Sequence, residues 1–204
     1  MQDSTAATHG APLSEGERLL DTFVAPSKTF TDILRNTNWW VPCALMILLC
    51  AAYAFVVLHK VGIEIMAGNF IQTMPRIHTV IAKDPRSAAL IQHEFENQIL
   101  GRLYLAPVFL ILGSFVGSAL FLMTANFVFA GKAKYKELLA MFWYSQLPLL
   151  LPYCAVIVLL FCGVGIRTFS IDNPIGTNIG YYLSGTPAPL VAALSYIDVF
   201  SLWV

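Results

Sequence analysis

Charge is scarce in this chain. Of its 204 residues, 12% are Asp, Glu, Lys or Arg, twelve of each sign, and 57% are hydrophobic. An ordinary soluble domain carries roughly 25% charged residues. Residues 103–131 hold no Asp, Glu, Lys, Arg or His, and neither do residues 138–166. Two uncharged helices of that length would have nothing to shield them from water, whereas a bilayer core accepts about 20 apolar residues of helix. A soluble domain is thereby excluded. The net charge is zero, and no basic stripe is interleaved with aromatics, so nucleic acid is excluded as a partner.

Other absences narrow the chemistry. There is no nucleophile–base pair, no metal-ligand spacing, no phosphate-cradling glycine loop and no histidine within a span to hold haem. His93 opens the stretch HEFEN, but its fifth residue is Asn97, so the zinc-protease pattern HExxH is missing. Cys43, Cys50, Cys154 and Cys162 all lie in apolar runs, where free cysteine acts as a small hydrophobe. The spacings within the two pairs put each pair on one helix face, yet no His or carboxylate joins them to complete a metal site. The chain is expected not to be an enzyme and to need no cofactor. No apolar run follows a basic start, so the first span is expected to serve as the insertion signal.

What is present predicts an all-α, polytopic helical membrane protein. Residues 1–13 are small, polar and broken by Gly and Pro, and are expected to be disordered. Residues 14–38 predict two short amphipathic helices. Ser14 with Glu17 reads as a capping box, Leu19, Leu20, Phe23 and Val24 recur at helical spacing, and Pro26 breaks the run. Beyond it Phe30, Ile33 and Leu34 gather on one side, and Trp39 and Trp40 stand where polarity ends, as interfacial aromatics do. These five residues are the candidate partner or interface contacts. The helices either pack on the protein's own inner face or present that surface to headgroups or a partner.

Three spans are expected, at about residues 39–58, 103–130 and 138–166. His59 and Lys60 stop the first. Residues 61–101 predict an extramembrane helical excursion, broken at Pro75 and at the KDPR turn (83–86), with flanking helices continuous with spans one and two. Within span two, Gly113 and Gly117 are four apart and Ser114 and Ser118 repeat the spacing. Small residues so placed let helix backbones approach, within the chain or between copies. Asn126, near the inner end, is placed to hydrogen-bond across helices. In span three Gln146, Pro148 and Pro152 make a polar-flecked, broken segment, which is either a packing kink or the lining of a solute path. After Arg167 a Gly/Pro/Asn-rich connection leads to a short apolar helix. Asp198 is placed to cap a new one, the start of a fourth span from residue 199.

Lys132, Lys134 and Lys136 crowd the turn between the second and third spans, which marks that turn as cytoplasmic. An even number of spans separates it from the N-terminus, near which Lys28 and Arg35 lie, so the N-terminus is expected inside. Residues 39–204 are then one membrane domain, behind the cytoplasmic helices of 14–38.

Several phrases carry a family resemblance: APSKTFTDI and NWWVP before the first span, GKAKYKELLAMFWYSQLPLLL through the lysine turn, and DNPIG with YIDVFSLW at the end. In order and spacing the chain resembles the Yip domain (Ypt/Rab-interacting protein) family, particularly its bacterial branch. The resemblance implies five spans, a cytoplasmic N-terminus, a bacterial cytoplasmic membrane, and two further spans after DVFSLW. The chain is therefore expected to be C-terminally truncated. Eukaryotic relatives associate with small GTPases and act in vesicle transport as adaptors, not enzymes, and no catalytic or ligand residue carries over. The expected function is a non-enzymatic membrane adaptor, with the bilayer, other membrane proteins or a second copy as partners. The alternative is a small-solute permease or channel component.

Overall fold

The computed structural model describes residues 12–84, 86–183, 188–195, 197–199 and 202. The first helix, α1 (Glu15–Val24), starts where the capping box predicts. The Ser14 hydroxyl accepts from the Glu17 amide at 3.3 Å, and the Ser14 amide donates to the Glu17 carboxylate at 2.7 Å. Pro26 then opens α2 (Pro26–Ile33) at its first position, where its missing N–H leaves nothing unpaired. The expected disordered tail lies outside the described residues, apart from Pro12 and Leu13.

Three helical segments are long and apolar enough to cross a membrane. The first is α3 (Trp40–Lys60), with Pro42 in its first turn. It does not run on into the excursion as expected. Gly62 sits at φ 85°, a left-handed conformation open to glycine, and α4 (Ile63–Gln72) restarts after it. The helix α5 (Pro75–Lys83) follows, and a short turn leads into α6 (Ser87–Met123). On this side the expected continuity holds. The last part of the excursion, from Ser87, and the second span are a single helix, prolonged by a π-helical turn at Thr124–Val128. At 1.5 Å per residue those 42 residues extend roughly 60 Å, about twice the hydrocarbon core.

The third segment is interrupted. The helix α7 (Tyr135–Ser145) passes through a 3₁₀ turn at Leu147–Leu149 into α8 (Leu150–Phe161). Pro148 lies within that turn, where it has no N–H to extend the α-helical ladder. Gly163 and Gly165, at φ 78° and 75°, end the segment earlier than residue 166. The last described helix is α9 (Ala188–Ser195). Asp198 does not simply cap a new helix. It forms an isolated antiparallel bridge with Asn178, and its carboxylate accepts from the Thr177 hydroxyl. Of the partial span expected from residue 199, only Val199 and Leu202 are described; the remainder lies outside the described residues.

Three buried clusters hold these helices. Val57 of α3, Met66 of α4, Ile99 of α6 and Leu160 of α8 centre the largest, beneath the excursion. Asn69 of α4 ties it to the segment after α8, donating to the carbonyls of Arg167 and Phe169 at 3.0 and 2.9 Å. Cys43, Met46, Leu139 and Trp143 join the start of α3 to α7, and Ile33, Ala140, Tyr144 and Leu147 join α2 to the same helix. Much of the apolar surface of α6 stays exposed, including Phe109, Leu112, Val116 and Leu120. In a bilayer that surface is open to lipid tails or to another apolar helix.

Candidate interaction sites

The most heavily built polar region lies at the N-terminal hairpin. Arg18 is fully buried, and its Nε donates to Asp32 at 2.7 Å, a charge-assisted bond between α1 and α2. Its Nη1 donates to the Asn36 carbonyl at 3.0 Å, and its own carbonyl accepts from the hydroxyls of Thr22 and Thr29 at 2.7 and 3.1 Å. Glu15, 3.7 Å from the guanidinium, accepts from Asn38 at 2.8 Å and from the Tyr144 hydroxyl of α7 at 3.0 Å. Burial opposes the charge on Arg18. Hydrogen bonding with Asp32 and Tyr144, together with the nearby carboxylates of Asp32 and Glu15, outweighs it and raises the pKa. The Nη2 of Arg18 has no hydrogen-bond partner among the described residues. Arg18, Asp32 and Glu15 were not singled out by the sequence, and Tyr144 stood out only as one of the polar residues of the third span. Tyr144 and Glu15 are 129 residues apart, and no local pattern announces such a pairing.

That network fixes which apolar side chains face outward. On α1, Leu19 and Phe23 pack toward the Ile33 cluster. Leu20 and Val24, four apart on the same helical line, are 69% and 83% exposed. The stripe read from the sequence is wider than the face it buries. Among the five candidate contacts, Ile33 is fully buried and Phe30 half-buried against the same cluster. Leu34, closing α2, is 56% exposed. Trp40 is exposed, while Trp39 packs beside the Cys43 cluster and meets the Phe115 ring edge-on at 6.1 Å.

The small residues of α6 divide in the same way. Ser114 and Ser118 are fully buried, and a Cβ at Gly117 would come within 3.1 Å of the Phe142 ring of α7. At Gly113 nothing lies within 4 Å of that position. Gly117 thus lies against α7, with the buried Ser114 and Ser118 beside it on the covered side of α6, while Gly113 faces away. Asn126 does not bridge helices. It closes the lysine turn, donating to the Ala133 carbonyl at 3.1 Å and accepting from the Ala133 amide at 2.9 Å.

The break in the third segment borders two separate clefts of about 440 Å³ each. One is lined by Pro152, Cys50, Tyr53 and Tyr153 together with Arg102 and Asp172. The last two form an exposed ion pair at 2.9 Å. Gln146 lines the other, between Phe30, the end of α6 and α7. The clefts share no lining residue, and Leu147 and Pro148, both buried, occupy the chain between them. Among the described residues no three His, Cys, Asp or Glu side chains gather as a metal site.

Long apolar helices, a lysine-rich turn and a helical hairpin at the entry to the first span define a multi-pass helical membrane protein. The chain belongs to the Yip1 domain family, whose pattern it matches over residues 20–204. No curated protein and no solved structure matches it.

Proposed function

We propose that this protein is a non-enzymatic adaptor of a bacterial cytoplasmic membrane, with its N-terminus in the cytoplasm. It binds a partner protein through the outward side of the hairpin formed by residues 14–38. The membrane domain of residues 39–204 carries that hairpin. Membership of a family of generally non-enzymatic trafficking proteins supports this reading. The observation that carries it is the contrast within the hairpin. Arg18 and Asp32 lock α1 to α2, Glu15 links them to Tyr144, and Leu20, Val24 and Leu34 are left facing out. A docked element with exposed apolar side chains suits recognition, because little ordering entropy remains to be lost on binding. By analogy with eukaryotic relatives, a small GTPase is the partner class to try first. Self-association through α6 is the second contact of this kind, with Gly113 on its free face.

Leu20→Asp and Leu34→Asp test the proposal, since both side chains are exposed and their loss leaves the core intact. A protein that co-purifies with the wild type is expected to be lost from both variants while each still inserts in the membrane; its retention would sink the reading. Phe30→Asp is a poorer probe, because Phe30 also packs toward the Ile33 cluster. A permease would require a path along the broken segment. Gln146 and Pro152 border different clefts, so the adaptor reading is preferred. Solute flux in proteoliposomes that changes with Gln146→Leu would reverse that preference.

A further inference from the structure

The cleft beside Gln146 has apolar walls, and the chain that joins two of them is basic. Phe121 and Phe129 at the end of α6, Leu138, Met141 and Phe142 of α7, and Phe30 of α2 make it largely apolar. Its volume of about 440 Å³ lies in the range of small-ligand sites, roughly 300–1,000 Å³. The segment joining its two main walls is the lysine turn. Lys132 lies three residues after Phe129, and Lys134, the N-cap of α7, lies four residues before Leu138. The turn is held in place. Asn126 grips Ala133, between the two lysines, through two hydrogen bonds, and the Gly131 amide donates to the Ala125 carbonyl at 2.9 Å. Lys132 makes no ion pair among the described residues. Lys134 meets Glu137 only at 3.5 Å with its own side chain 82% exposed, so that pair is weak.

We propose that this cleft holds one acyl chain of an anionic phospholipid, with Lys132 and Lys134 binding its phosphate. Charge complementarity selects the occupant. An apolar slot whose two main walls are joined by a lysine-bearing turn matches a hydrocarbon chain with a negative head, and lysines beside a membrane span are where anionic lipid is attracted. A zwitterionic lipid offers the same chain with a neutral head. Lys136, two residues from Leu138, stands on the other side of α7 and serves as the internal control.

The test is native mass spectrometry of the purified full chain with phosphatidylglycerol and phosphatidylcholine of identical acyl chains. The wild type is expected to retain phosphatidylglycerol in preference. Lys132→Ala and Lys134→Ala should each reduce that preference about fivefold, and Lys136→Ala should leave it near the wild-type value. Met141→Trp, which fills the slot, should reduce retention of phosphatidylglycerol although every lysine remains. Equal retention of the two lipids by the wild type would overturn the site. So would an equal loss in all three lysine variants, which would show attraction by net charge alone. All the lysine positions are exposed, so these variants keep their fold whatever Met141→Trp does.

Discussion

The N-terminal hairpin and the α6–α7 seam solve the same packing problem with opposite materials. In the hairpin, helices are joined by a buried arginine, two carboxylates, the Thr29 hydroxyl and a tyrosine hydroxyl. In the seam they are joined by what is missing, a side chain at Gly117 and all but a hydroxymethyl at Ser114 and Ser118. The difference follows from the surroundings. Lipid tails are as apolar as leucine, so helices within a bilayer gain little by hiding hydrocarbon and associate through close backbone approach. At the membrane surface, water competes for every polar group. A short hairpin there becomes specific by enclosing a charge pair that only one arrangement satisfies.

The comparison is broken most severely by Arg18→Ala. It leaves Asp32 buried without its partner, at a cost of about 3–5 kcal/mol. Hydrogen exchange in α1 and α2 should then accelerate while the spans stay protected. The double change Arg18→Met with Asp32→Leu should recover most of that loss, since apolar groups of similar volume replace a buried pair with little penalty. On the other side, Gly117→Leu forces a side chain into the Phe142 ring and should cost about 1–3 kcal/mol. Gly113→Leu meets open space and should leave thermal unfolding in detergent unchanged. Equal effects at the two glycines would show that the seam lies elsewhere.

Smaller changes sharpen the hairpin's side of the contrast. Ser14→Ala removes the cap of α1 and should cost about 1 kcal/mol, seen as faster exchange confined to the first turn. The pH dependence is the smallest effect. Hydrogen bonds from the Ser14 amide and hydroxyl hold the fully exposed Glu17 carboxyl below its ordinary value of 4.5. The capping box therefore contributes fully above that value and is lost as pH falls through the lower folded value. Protection from exchange in the first turn of α1, relative to the intrinsic rate at each pH, should fall over that acidic range in the wild type and stay constant there in Glu17→Gln.

The sequence disclosed most where physics is local or where apolar length decides. Ser14, Glu17 and Pro26 announced both short helices, and the uncharged runs announced the long ones. The gap between α3 and α4 was harder to see, because Gly62 gives no sign in composition that its φ will be positive. The candidate sites were legible only in part. Periodicity put Phe30, Ile33 and Leu34 on one side of α2 but could not say which would be covered. Covering comes from Tyr144 and Leu147, more than a hundred residues away. The small-residue repeat of α6 offered two overlapping lines, and only the position of Phe142 selects Gly117 over Gly113. Asn126 carried the polar group that was expected, and the tight return of the chain gave it a nearer partner in Ala133.

The most direct test of the adaptor account is site-specific photo-crosslinking in intact membranes, with the crosslinker at Leu20 or at its inward neighbour Phe23. The account predicts that Leu20 captures one recurring cytoplasmic protein, that Leu34→Asp abolishes the adduct, and that Phe23 yields only links within the chain. Lipid or self-adducts alone at Leu20 would contradict it, and would make the hairpin a membrane-docking element.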